Sequence, residues 1–276
     1  MDVERDPGGL GPSEVETYRR LYAHDLDRRL LGAVAVGPGE TVLELACGLG
    51  AMCLRLAALV QPGGRTICSD IRPERVAASR RLVNDAGLDD VDVRVLDMLH
   101  IDLADASVDG IVCRWGFMFP LPTATAFGEA RRVLRPGRRL AMAAWADPRR
   151  NPWIGVVDNA LAGCGMPPPV DRRAPGQMFS LGDREGLRAF LDHAGFEVIS
   201  IDDVALAWEY DSFDNFWIEE ALVPGPYENF MTTLPPPDLI RVQGRLRELL
   251  EPFGTSGGGY RIPGVTLLAV ARRPFD

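Results

Sequence analysis

Thr41-Val42-Leu43-Glu44-Leu45-Ala46-Cys47-Gly48-Leu49-Gly50 is the stretch that decides the fold. A short apolar run reads as a strand, carries a carboxylate near its end, bends through Gly-x-Gly and enters a helical run over 50–60. A sharp turn and a helix start at the carboxyl end of a parallel strand mark the place where open α/β sheets bind ligands. The glycines let the backbone come close to a ligand, and the free N–H groups of the helix start favour its negative groups.

Outward from that turn, strand and helix signals alternate. Strands are predicted at 41–45, 65–69, 91–96, 108–113 and 139–145, and helices at 50–60, 73–86 and 122–134. That order is the mark of βαβ units and a parallel sheet. Pro-Gly at 62–63 and at 136–137 punctuates the chain before the next strand. A helical region over 14–35 precedes the core, so residues 1–40 are read as an N-terminal lid segment, 41–145 as the ligand-binding core and 146–182 as a cap insert. Residues 183–276 return to the core through a helix at 183–194 and strands at 196–201 and 265–271. They carry a second, irregular lid insert at 211–258.

The same turn separates two cofactors. A dinucleotide site wants a third glycine for close helix–strand packing, and that position is Cys53. Glu44, an acid inside the strand, suits a ligand carrying positive charge, such as an amino group or a sulfonium. The turn is therefore read as a site for S-adenosylmethionine, held by Glu44, Ala46, Cys47, Gly48 and Gly50. A nicotinamide-dependent oxidoreductase is the disfavoured alternative.

Further candidates follow the strand ends. Asp70 can accept from both ribose hydroxyls or cap the helix that starts at Pro73, and the two roles are compatible. Ile71 would then lie against a purine. Asp97 can take an exocyclic amine while the Met98 N–H meets a ring nitrogen, although Asp at a strand end is also a common turn residue. Arg114 and Trp115 open the loop Arg114-Trp-Gly-Phe-Met-Phe-Pro120, whose aromatic and thioether surface can wall donor and acceptor or pack against a lid. Phe117, Phe119, Trp153 and Phe179 are the acceptor-side candidates. Tyr18 and Tyr22, at i and i+4 on one helix face, either close over the cofactor or belong to the core. His24, His100 and His193 offer no catalytic pattern, and no general base is assigned.

Bulk properties narrow the partners. The net charge of −9 over 276 residues argues against nucleic acid. The longest uncharged run is broken by prolines, and Met1 to Arg20 is polar, so no stable membrane insertion is expected and a cytoplasmic location is read. Five cysteines without a C-x-x-C pair read as small buried hydrophobes, not as a disulfide frame, and no metal centre is expected. A homo-oligomer is compatible with all of this.

With those residues in place the chain resembles the class I S-adenosylmethionine-dependent methyltransferases. Within them it is most similar to the ubiquinone/menaquinone-biosynthesis C-methyltransferase type. The matching pieces are Glu44-x-Ala-Cys-Gly-x-Gly50, Asp70 in Ser-Asp-Ile-Arg-Pro-Glu, Leu96-Asp97-Met98, Asp109-Gly-Ile-Val-Cys-Arg-Trp-Gly-Phe-Met-Phe119 and Arg132-Val-Leu-Arg-Pro-Gly-Arg-Arg-Leu140. The resemblance implies a Rossmann-like doubly wound α/β sheet of seven strands, the last antiparallel, under a helical lid. It implies that Glu44 and the glycine loop hold the methionine end, Asp70 the ribose and Asp97-Met98 the adenine. Glu44 stands where Asp is commoner, and Ala46 where the loop's first glycine is usual. The implied activity is methyl transfer to a small acceptor, with an S-adenosylmethionine-binding scaffold or sensor as the alternative.

Overall fold

The computed structural model describes residues 25–222 and 226–275. Tyr18, Tyr22, His24 and most of the expected N-terminal helical region lie outside the described residues. Helix α1 (Asp25–Val34) leads into β1 (Thr41–Leu45), α2 (Ala51–Val60), β2 (Arg65–Asp70), α3 (Pro73–Asp85) and β3 (Val91–Val95). There follow β4 (Val108–Arg114), α4 (Thr123–Val133), β5 (Leu134–Trp145), α5 (Pro152–Gly163), α6 (Arg184–His193) and β6 (Glu197–Tyr210). Helix α7 (Phe213–Phe216) continues as a π-helical turn (Trp217–Ala221), then come α8 (Pro226–Thr233), α9 (Pro236–Leu250) and β7 (Tyr260–Arg272).

The seven strands form one sheet in the order β3-β2-β1-β4-β5-β7-β6. Strands β1 to β5 pair in parallel, and β7 runs antiparallel to both β5 and β6. The fold class is as expected. Strand order reverses at β1, which lies between β2 and β4, so the crevice beyond their carboxyl ends is the ligand position of a doubly wound sheet. Strands β1 and β4 are near-continuous apolar runs because helices cover both faces of a parallel sheet. Prolines at the first turns of α3 and α5 cost no hydrogen bond, since those N–H groups have no partner within the helix.

Two expectations are corrected. Strands β6 and β7 are far longer than 196–201 and 265–271, pairing from Glu197↔Arg272 to Tyr210↔Tyr260 with one register shift between Val198 and Ser200. Asp202, Asp203 and Glu209 interrupt the apolar pattern of β6, yet each pairs with a residue of β7, and an edge strand tolerates charge. The insert 211–258 carries the helices α7, α8 and α9, and α9 packs on α5 of the cap segment. The proline run 235–237 reads as a breaker in sequence, but Pro236 and Pro237 occupy the permitted first turn of α9.

The main core spans the sheet and its helices, and Phe117 stacks on Phe127 with centroids 4.4 Å apart. A smaller cluster, separate from it, lies beneath the glycine turn: Cys47, Cys53, Cys68, Val76, Val83 and Val93. No helix among the described residues is long and apolar enough to cross a membrane.

Candidate active site

Glu44, next to last in β1, has only 2% of its surface exposed and is flanked in register by Cys68 of β2 and Val112 of β4. Its Oε2 lies 3.2 Å from the Cys53 sulfur. Burial pushes the carboxyl up to about 8; Arg114 opposes that rise, while Asp27 and Asp70 add to it. Three acids, Glu44, Asp27 and Asp70, thus share one field with Arg114.

The turn itself is held from several sides. Cys47 N–H donates to Ser69 O at 2.8 Å, and Gly50 N–H to Cys47 O at 3.0 Å. Ala46 takes a φ of 57°, the left-handed region where a glycine is usual, so the missing first glycine is accommodated with strain rather than by a different turn. Gly50, at φ 90°, sits so close to α3 that an added Cβ would lie 2.3 Å from Ser79 Oγ.

Asp70 is buried and uses both oxygens on backbone: Gly48 N–H donates to Oδ2 and Arg72 N–H to Oδ1, each at 3.0 Å. It therefore ties the glycine turn to the start of α3, and each oxygen keeps a lone pair for a ligand hydroxyl. Asp70→Ala is expected to weaken S-adenosylhomocysteine binding at least tenfold, because the turn loses its tether to the start of α3. Calorimetric titration reads this directly, and unchanged affinity would contradict the placement. Ile71 follows with 61% of its surface exposed, an apolar face at the crevice rim. Asp97 is a turn residue here, accepting from Leu99 N–H at 2.8 Å while staying exposed at the same sheet edge. Met98 reaches toward Gly116, where an added Cβ would meet the Met98 terminal methyl at 2.8 Å and the Ala46 methyl at 2.7 Å. A glycine is needed at that crossing.

At the end of β4, Arg114 donates from Nη1 to Asp27 Oδ1 at 2.6 Å, joining α1 to the sheet edge. Asp27, 1% exposed, also accepts from Arg55 at 3.3 Å. Sequence reading missed Asp27. Its signal was an acid set in the buried stripe Leu26, Leu30 and Val34 of an amphipathic helix. Trp115 holds a φ of 58°, and its indole N–H donates to Thr266 Oγ1 at 3.0 Å. Its ring stacks on Trp145 at 4.2 Å, and Trp145, Trp153 and Trp208 are in mutual contact at 5.0–5.8 Å.

The acceptor-side candidates divide. Phe119 is 52% exposed at the loop after β4. Trp153 belongs to the indole cluster, its N–H donating to Asn151 Oδ1 at 3.0 Å. Phe117 and Phe179 are buried in the main core, where α4 and the cap close over them, and they do not front an open crevice. Phe117→Ala is expected to lower stability by about 3–5 kcal/mol. Denaturant unfolding measures it, and a change confined to acceptor KM with stability intact would contradict the core assignment.

The cysteine expectation is corrected at one pair. Cys53 on α2 and Cys68 on β2 bring their sulfurs into contact as a disulfide pair, with Cα atoms 6.0 Å apart. Glu44 joins them in a group whose ligand atoms all lie within 4.8 Å, the one such group among the described residues. Parallel pairing of β1 with β2 creates this proximity; no short sequence spacing announces it.

A family profile described as a methyltransferase domain matches residues 42–137. The ubiquinone/menaquinone biosynthesis C-methyltransferase of Acidiphilium cryptum is 30% identical over 212 residues, covering 72% of this chain and 79% of that protein. An arsenite methyltransferase of Halobacterium salinarum is 30% identical over 168 residues, but the match covers 60% of this chain and only 40% of that relative. A crystal structure of a putative methyltransferase from Bacillus halodurans shares the fold, with a TM-score of 0.62 at 18% identity, over 91% of this chain and 99% of that one. With the acid-headed glycine turn at the switch point of a seven-stranded sheet, these likenesses establish that the chain belongs to the class I S-adenosylmethionine-dependent methyltransferases.

Proposed function

We propose that the chain transfers the methyl group of S-adenosylmethionine to a small apolar or aromatic acceptor of quinone or secondary-metabolite type. One observation carries the reading: the Glu44 carboxylate, buried at the head of the glycine turn with Asp27 and Asp70 in its field. Such a pocket disfavours a pyrophosphate and favours an ammonium beside a sulfonium.

When bound, S-adenosylmethionine supplies an electrophilic methyl group on a cationic sulfur. Glu44 and the turn 46–50 hold the amino-acid end, Asp70 the ribose, Ile71 a face of the purine, and Asp97 with Met98 its edge. Arg114 and Trp115 border the donor, and Phe119 with the indole of Trp115 offers apolar surface to the acceptor. Positioning of two reactants can lower a barrier by about 7–11 kcal/mol, and an apolar wall keeps water from the electrophile. No side chain is assigned as a base, since one is needed only for an acceptor that must lose a high-pKa proton.

The test is incubation with methyl-labelled donor and a panel of reduced quinones and phenolic acceptors. Label in the organic extract with matching S-adenosylhomocysteine release supports the reading. Tight cofactor binding with no transfer to any member of the panel would leave a scaffold or sensor. Micromolar nicotinamide-dinucleotide binding with none for S-adenosylmethionine would overturn the cofactor.

A further inference from the structure

Three of the five cysteines converge at the glycine turn, and two of them, Cys53 and Cys68, have no part in the proposed cofactor site. Cys53 lies in the first turn of α2, and Cys68 on β2 is the register partner of Glu44. Their Cα separation of 6.0 Å falls in the range that a disulfide spans without backbone movement. The same Cys53 sulfur is 3.2 Å from Glu44 Oε2 and 3.5 Å from Ser79 Oγ. Cys47, in the turn itself, approaches that Ser79 hydroxyl at 3.9 Å.

One sulfur cannot serve both neighbours at once. As a thiol, Cys53 can donate a hydrogen bond to Glu44 once that carboxyl has given up its proton to receive a cation. Joined to Cys68 it has no proton to give, and Glu44 loses the donor that supports its charged form. We propose that Cys53 and Cys68 form a redox modification site whose oxidation to a disulfide weakens cofactor binding by withdrawing the donor from Glu44. This rests on the reading of Glu44 as the ammonium acceptor.

The step balances with a small-molecule disulfide of the glutathione type as oxidant. Each cysteine gives up a thiol proton, the two sulfurs join, and two electrons reduce the oxidant, which leaves as two thiols. Both sulfurs are buried, so the oxidant reaches them through an opened glycine turn, and an occupied cofactor pocket slows the reaction.

The full-length chain is reduced, desalted and divided between dithiothreitol and oxidised glutathione. It is then titrated with S-adenosylhomocysteine and mapped by non-reducing peptide mass spectrometry. The expected result is a 53–68 linked peptide, at least tenfold weaker binding, recovery with dithiothreitol, and slower linkage when S-adenosylhomocysteine is present beforehand. Cys68→Ala keeps the Cys53 donor, so it should bind as the reduced protein does and ignore the oxidant. If that variant fails to fold, linkage and affinity in the wild-type chain still decide. No linked peptide, or linkage at constant affinity, overturns the inference alone. A reduced protein that does not bind S-adenosylhomocysteine at all overturns the site reading and the inference with it. Uptake of one zinc ion per reduced chain, with both thiols protected, would replace the redox site by a metal site.

Discussion

Replacing Glu44 by Ala is expected to weaken S-adenosylhomocysteine binding about a hundredfold, a loss of roughly 2.7 kcal/mol. A buried charged pair is strongly destabilised when one member is removed, because the remaining charge is left uncompensated. The ligand's ammonium would face Asp27 and Asp70 alone, and both already have partners: Asp27 accepts from Arg114 and Arg55, Asp70 from two backbone amides. The pH dependence is the sharper readout. Glu44 holds its proton up to about pH 8 in the empty protein, so taking up a cation must expel that proton. Affinity should therefore climb as pH rises from about 6 to 8 and level off above, with close to one proton released per ligand at the low end. Glu44→Gln should bind weakly and show only the ligand's own titration. A wild-type profile that matches the Gln variant would remove Glu44 from the site.

The same raised value fixes the sign of a stability effect. Between the unfolded carboxyl value, near 4.5, and about 8, the folded chain binds more protons than the unfolded chain. Stability of the empty protein is thus lost as pH rises through that window. Glu220 acts the same way: burial pushes it up to about 8, opposed by the hydroxyl of Tyr210, which donates to it at 2.6 Å. Glu44→Gln and Glu220→Gln should each flatten part of the decline in melting temperature.

Gly50→Ala is expected to be the most damaging single change at the turn, costing about 2–4 kcal/mol from left-handed backbone strain and overpacking together. The added methyl meets Ser79 Oγ at 2.3 Å, Ser79 Cβ at 3.0 Å and Ser79 Cα at 3.1 Å, the last a backbone atom of a packed helix. The turn must lift, and Glu44 and Cys53 then lose their alignment with it. Thermal unfolding and cofactor titration should fall together. Ser79→Gly in the same chain should restore part of both, because it removes the hydroxyl and the Cβ but not the backbone contact. Full stability in Gly50→Ala would show that the turn has room the structure does not contain.

How much of this was legible in the sequence follows from the range of each interaction. The strand–turn–helix at 41–60, the alternation through Trp145 and the acids at strand ends were readable because periodicity and turn chemistry are local. The ends of β6 and β7 were not, since their charged edge residues resemble loop and only the partner strand completes the ladder. Helix α9 was hidden by its own prolines. At the site, Glu44, Asp70 and the glycines stood out as residue types in order, but their hydrogen-bond partners did not. That Asp70 would hold the Gly48 amide, or that Phe117 would turn inward to Phe127 while Phe119 stayed at the surface, depends on packing.

What the sequence determined by itself was an α/β sheet, the position of its ligand turn and a preference for a cationic cofactor, because adjacent residues encode all three. What only the tertiary structure decided was the convergence of distant groups. Asp27 on Arg114 closes a gap of 87 residues, and Cys53 and Cys68 meet beside Glu44 across two elements. Such contacts carry no local signature, since they exist only once the strands have aligned and buried the groups together.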